Sequence, residues 1–529
     1  MTAFDYDWLV IGSGFGGSVC ALRLAEKGYS VAMLECGRRF ADQDFAEQTA
    51  DFRRYNWAPQ LGMRGILRLN IFRDVFVLSG CGVGGGSLGY ANTLYRARPG
   101  FYDNPQWSGL ADWATELEPF YAEAERMLGV ETYDRDGVAD VLLREYGESI
   151  GVRETYERTP VGVFLGEPGV TVPDPYFGGA GPERTGCLRC GACMIGCRHG
   201  AKNTLMKNYL WFAEKLGVRI LSERMVTDIR PLGEGTGADG YEVTHERSGA
   251  LLRRGRASAR ARGVIVAAGA LGTNRLLQRC RLNGSLPRIS QRLGHTVRTN
   301  SEAIISVTAP KDSDWDFSES VAITSSIYTD PDTHIEVVTY GHGGDTQGLL
   351  RQLMVTAGGR GTRPLHFLLA VMRHPREALG VFRIRGMSHK TIILLVMQSL
   401  DNSMRLKVKR RLPNGAVMLT TQQDPLHPNP DSIPAAYDAA RWFARRTGGT
   451  PYSGVTEAVL GIPLTAHILG GAVIGSGPDS GVVDAEHRVF GYQNLLVCDG
   501  AAVPANVGAN PSLTITALAE RAMTFISPK

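Results

Sequence analysis

Two groups of residues in this chain have spacings that could do chemistry. Cys187, Cys190, Cys193 and Cys197 form a C-x2-C-x2-C-x3-C run. Closely spaced thiolates with small residues between them can wrap an iron–sulfur cubane, [4Fe-4S] or [3Fe-4S]. The run matches the bacterial ferredoxin pattern up to its last cysteine, where Arg198 replaces the usual proline. Tetrahedral zinc more often takes two separated pairs, and reduced structural or redox-sensing thiols are the third reading. The second group is Gly12-Ser13-Gly14-Phe15-Gly16-Gly17, a G-x-G-x-x-G turn. There Gly12 permits the tight turn, Gly14 lets backbone amides approach a pyrophosphate, and Gly17 lets helix and strand pack closely. Glu35 stands where a carboxylate can bind ribose hydroxyls and disfavour a 2′-phosphate.

A glycine motif alone is weak, because such turns also serve plain strand–helix connections. Here the elements that must position it are all in register. Asp7 to Ile11 reads as a buried parallel strand, Ser18 to Lys27 as a helix, and Ser30 to Leu34 as a second strand ending at Glu35. The helix N-terminus adds partial positive charge for phosphates. Together these specify a dinucleotide site, without separating FAD from NAD.

Further stretches serve the same site. Gly82-Val83-Gly84-Gly85-Gly86-Ser87 suits backbone passing tightly against a flat ligand, with Ser87 placed to begin a helix. Residues 218–231 read as a strand pair reaching Val226, which is assigned to the cofactor, and 241–262 as a hairpin. Gly263 to Thr273 reads as strand, turn and helix, bringing Gly269 close to the cofactor. Near the end, Leu495 to Val497 is a short buried strand. Asp499-Gly500 is a turn whose carboxylate could meet ribityl hydroxyls, and 514–525 is a helix.

Composition sets bounds. A chain of 529 residues exceeds one ordinary core, so two domains or one composite are expected. A net charge of +4 gives no case for nucleic acid. With no signal peptide and no apolar run able to span a bilayer, the expected compartment is the cytoplasm. Cys20, Cys36, Cys81, Cys280 and Cys498 read as buried small hydrophobes. Residues 348–390 interleave apolar side chains with Arg351, Arg360, Arg363, Arg373, Arg376, Arg383 and Arg385. Such a segment could lie on the inner face of an anionic membrane or cover an apolar pocket; otherwise it is a helical insertion with solvated arginines.

Several strings jointly resemble the glucose-methanol-choline (GMC) family of FAD oxidoreductases, nearest the branch of noncovalent-FAD cholesterol oxidases. They are Gly12 to Gly17 with Glu35, Gly82 to Ser87, Gly269 to Thr273, His467 to Gly471, Asp499-Gly500 and Val507 to Pro511, in the family's order along the chain. The resemblance implies an α/β fold: a Rossmann-like FAD domain from 1–100, 205–300 and 460–529, and a substrate domain on an antiparallel sheet from 101–204 and 301–459. It implies Gly12, Gly14, Gly17, Glu35, Gly82, Gly85, Gly86, Ser87, Val226, Gly269, Asp499 and Gly500 as the cofactor set. His467 corresponds to the histidine beside flavin N5, and Asn510 to the second polar residue facing the substrate oxygen. Glu336 is placed by its strand context as the glutamate facing a steroid. Ile468 departs from the proline many relatives carry there.

The expectation is an FAD enzyme taking hydride from a hydroxyl of a sterol-like apolar substrate, with imidazole accepting the proton and double-bond isomerisation by Glu336. A cluster near the flavin would instead make a dehydrogenase feeding an acceptor protein or quinone. A redox-neutral flavin isomerase and a flavin–cluster electron carrier are the other readings.

Overall fold

The computed structural model describes residues 4–250, 254–382, 384–411 and 416–529; Arg383 and part of the hairpin expected over 241–262 lie outside them. Tyr6–Ile11 is apolar and buried, and pairs in parallel with Val31–Leu34 on one side and Ala257–Val266 on the other. Arg219–Leu221 extends the sheet beyond Val31–Leu34. Ala257–Val266 serves two ladders besides that one. Its first half pairs antiparallel with Tyr241–Arg247, and its last three residues pair in parallel with Leu495–Val497. The chain's end thereby joins the sheet that its beginning started. Helices Phe15–Glu26, Trp113–Leu128 and Ser512–Thr524 pack on one another in the largest apolar core. Residues 218–231 do form two strands, but each pairs elsewhere: Arg219–Leu221 with Val31–Leu34, and Arg224–Pro231 with Tyr241–Arg247.

The second sheet is antiparallel, in the order Arg351–Leu353, Thr450–Gly454, Ala303–Thr308, Thr391–Gln398, Thr333–Val338, Ile323–Asp330, Glu157–Arg158. Its strands alternate as a two-sided sheet must. Ile305, Val307, Ile335 and Val337 pack into a core with helices Val138–Ser149 and Pro434–Thr447. Ile304, Ser306 and Val338 face the opposite way, into a cavity bordered by the turns that follow strands of the first sheet. Residues 101–128, expected with the substrate unit, pack instead on the nucleotide side, where Trp107, Trp113 and Leu117 are buried.

The 348–390 segment contains two short helices, Arg363–Arg373 and Pro375–Gly380. Its arginines are not uniformly solvated. Arg363 is buried and donates to Val355 O, Arg351 is buried over the Tyr452 ring, and Arg360 pairs with Asp74 at 2.8 Å. Arg373, Arg376 and Arg385 are exposed, as are Leu365, Leu368, Met372, Leu379 and Phe382. Among the described residues no helix is long and apolar enough to cross a membrane.

Candidate active site

A cavity of about 410 Å³ lies between the second sheet and the turns and helix starts that follow strands of the first. One end is backbone-rich, with Phe15, Gly86, Gly269, Gly500 and Ser512; the sheet wall is apolar, with Ile304, Ile323, Val338, Ile393 and Leu395. Gly12 has φ +102, and a Cβ there would lie 2.2 Å from Ala267 O, so the first turn closes only on glycine. Gly85 has φ +54, and its Cβ would lie 2.6 Å from Gly14 Cα. The two glycine runs, far apart in sequence, are thus in backbone contact. Glu35 stands at the end of its strand as expected, accepting from Ser13 N at 3.1 Å, Ser13 Oγ at 2.8 Å and Gly37 N at 2.7 Å. Burial pushes its carboxyl up to about 8, against the pull of those donors.

His467 sits between two short pairings. Leu464–Thr465 runs beside Phe76 and Val77, and Leu469–Gly470 pairs with Val297 and Arg298. The loop between them is held further by Glu302, which accepts from Ala466 N at 2.8 Å and from His467 Nδ1. A carboxylate on Nδ1 fixes the tautomer with the proton there, leaving the Nε2 lone pair free. Asn510, just before the helix Ser512–Thr524, places Nδ2 3.5 Å from that Nε2 and 3.4 Å from Glu336 Oε2. Its two amide hydrogens can serve both. Glu336 is fully buried, and burial pushes its carboxyl up to about 8. Glu336 Oε1 and Asn510 Oδ1 are buried without a protein partner. Behind Glu336, His334 stacks on Tyr328 at 4.4 Å; burial and the Arg98 charge push its imidazole down to about 3, so it is neutral.

His467, Asn510 and Glu336 therefore meet, with His467 and Asn510 on the cavity wall and Glu336 behind Asn510. Several expected residues are placed differently from their reading. Asp499 spends its oxygens on Gly269 N at 2.8 Å, Thr273 Oγ1 at 2.5 Å and Ala501 N at 2.8 Å, so it clamps the helix Gly269–Asn283 to the strand end. Ser87 does not begin a helix. A short 3-10 turn starts at Gly85, and the Ser87 hydroxyl donates to Gly84 O and accepts from Leu205 N, away from the cavity. Val226 is half-buried on Arg224–Pro231, two residues after Arg224, whose N–H donates to Glu35 O. Cys36 is not a plain buried hydrophobe. Its Sγ lies 3.6 Å from that of Cys81, with Arg68 Nη2 at 3.3 and 3.1 Å from the two. Glu302 escaped sequence reading. The one signal was an acid immediately before the uncharged alternating run Ala303–Thr308.

Comparison with known proteins finds a family and relatives for the chain. Family models described as GMC oxidoreductase match residues 182–297 and 448–519, and one described as NAD(P)-binding Rossmann-like domain matches 10–61. The chain is 48% identical to a cholesterol oxidase of Mycobacterium tuberculosis, over 98% of this chain and 91% of that one. It is 46% identical to a cholesterol oxidase of Acinetobacter baumannii, over 99% and 95%. Pyridoxine 4-oxidase from Mesorbium loti shares the fold with a TM-score of 0.61 at 16% identity, covering 98% of this chain and 99% of that one.

Proposed function

The chain belongs to the GMC oxidoreductases, FAD-dependent enzymes acting on alcohols, and from that premise we propose that it oxidises the hydroxyl of a sterol-like, bulky apolar alcohol. The observation that carries this reading is one apolar cavity with a His467–Asn510 pair on its wall. The names of two near-full-length relatives support the sterol class. FAD, held noncovalently, fits the residues present. Gly269 faces the cavity with nothing within 4 Å of where a Cβ would stand, and the N-termini of Phe15–Glu26 and Ser512–Thr524 aim at it.

FAD supplies the acceptor for the carbinol hydrogen and its two electrons. The chain's own residues manage the oxygen and its proton. His467 Nε2 takes the hydroxyl proton while Glu302 neutralises the imidazolium from the other side. The Asn510 hydrogen that faces Nε2 turns to the substrate oxygen as carbonyl character grows, adding no charge. Glu336, neutral over much of the pH range below 8, holds the Asn510 amide in place. Isomerisation of a double bond by Glu336 requires substrate to reach past Asn510.

The two ends of the 348–390 segment line the same cavity, through Gly348, Leu350 and Arg351 at one end and Met387-Ser388 at the other. Its exposed leucines and arginines suit a peripheral seat on an anionic membrane face, through which a poorly soluble substrate enters. Anaerobic mixing with 3β-hydroxysterols is the test. Bleaching of the flavin supports the reading, and no bleaching across a sterol panel overturns it. Product formed without net bleaching would favour an isomerase, and reduction only by a partner protein an electron carrier.

A further inference from the structure

We propose that Cys187, Cys190, Cys193 and Cys197 hold a cubane iron–sulfur cluster beside the flavin site, which passes electrons from the reduced flavin singly to a one-electron carrier protein. All four thiols are free and line one cavity of about 380 Å³. The chain bends back on itself between them, with left-handed residues at Arg189 (φ +54) and Gly191 (φ +67), so that consecutive thiols face the same space. The Arg189 N–H points to Cys187 Sγ at 3.4 Å, as expected for a sulfur that will carry charge.

Two further observations separate this reading from its rivals. A tetrahedral zinc site draws its thiolates to within about 3.8 Å of one another, given Zn–S bonds near 2.3 Å. Among the described residues the only metal-competent trio within 4.8 Å is Glu35, Cys36 and Cys81, so no three of the four clustered thiols are gathered as tightly as a zinc ion gathers its ligands. The second observation is charge. Arg184 is buried and donates to Gly200 O at 3.1 Å and Ala201 O at 2.7 Å. Lys202 is buried and donates to the carbonyls of Leu88, Tyr90 and Cys193. Neither has a carboxylate partner among the described residues. These two basic side chains suit a neighbouring group of negative charge, which a thiolate-ligated cluster is.

The site also adjoins the flavin. Cys193 lines the smaller cavity and its neighbour Met194 lines the larger one. Lys202 ties the Cys193 carbonyl to those of Leu88 and Tyr90, which flank the glycine turn against the cofactor. Each alcohol oxidised gives up two electrons and two protons. The electrons leave the reduced flavin in two single transfers through the cluster to two equivalents of carrier, the protons go to solvent, and no cluster bond changes.

The full chain purified without oxygen is assayed for flavin, iron, acid-labile sulfide and zinc. The expected result is about three to four iron per flavin with matching sulfide, and a paramagnetic signal on changing the cluster's oxidation state. Cys193→Ser and Cys197→Ser should each lose most of the iron but keep flavin and its bleaching by sterol. Reoxidation by ferricenium should slow in both by on the order of tenfold or more. Flavin-replete wild-type protein that stays iron-free after anaerobic incubation with ferrous iron and sulfide overturns the proposal, as does stoichiometric zinc. Iron-free variants with unchanged ferricenium reoxidation overturn the relay. If the variants do not fold, the wild-type metal assay still decides. Iron content is read independently of sterol bleaching, so failure of the sterol assignment leaves it standing.

Discussion

His467 works as a base because of what stands on its other nitrogen. A ring free to choose its tautomer would spend part of its time presenting N–H to the substrate, and Glu302 on Nδ1 removes that choice. His467→Asn should slow flavin reduction by about 10²- to 10⁴-fold, and an unchanged stopped-flow rate would remove its role. Glu302→Gln preserves shape and should lower kcat with little change in KM, because Glu302 touches the histidine and not the cavity. Glu336 gives a prediction with a sign. Its folded value near 8 lies above the about 4.3 of a free glutamate. The folded chain therefore keeps a proton that the unfolded chain has lost between those values, and stability declines as pH rises through that window. Glu336→Gln should make the melting temperature fall less steeply between about pH 5 and 8. Calorimetric slopes identical to wild type would show that the group is already ionised.

At the scale of elements, the cofactor cradle is made by two glycine turns touching each other, not by one motif. Gly85→Ala puts a side chain on a left-handed residue and drives its Cβ into Gly14. The strain of about 1–3 kcal/mol corresponds to flavin binding weakened roughly five- to 150-fold, read by titrating FAD into stripped protein. Full affinity would mean the two turns can part. The placement of His467 is likewise a matter of elements. Its loop is pinned at both ends by two-residue pairings, and from the side by Glu302 at the edge of Ala303–Thr308.

For the whole molecule, the cavity is lined by residues from near both ends and the middle of the chain. A ligand there touches segments far apart in the sequence and adds to the packing that already joins them. Free FAD at a hundredfold its Kd should stabilise the stripped protein by about 2.7 kcal/mol, visible as a raised Tm. A Tm indifferent to FAD would place the cofactor elsewhere. The helices of the 348–390 segment show the same dependence on context. Sequence left open a membrane face, a pocket cover or an insertion with solvated arginines, while packing took Arg351 and Arg363 inside and left Arg373, Arg376 and Arg385 to solvent.

By itself the sequence determined the nucleotide unit, because a strand, a glycine turn, a helix and a second strand are local and periodic, and each glycine answers a short-range steric demand. It also supplied the family strings that picked out His467 and Asn510. Only the tertiary structure decided which groups share a site. Glu302 meets His467 across 165 positions, Asn510 meets Glu336 across 174, and Asp499 turns out to be a clamp for a distant helix. No periodicity encodes such meetings, since they depend on how two sheets with independent cores close against each other. The chemistry of a side chain is written in its own residue, but its partner is fixed by the fold.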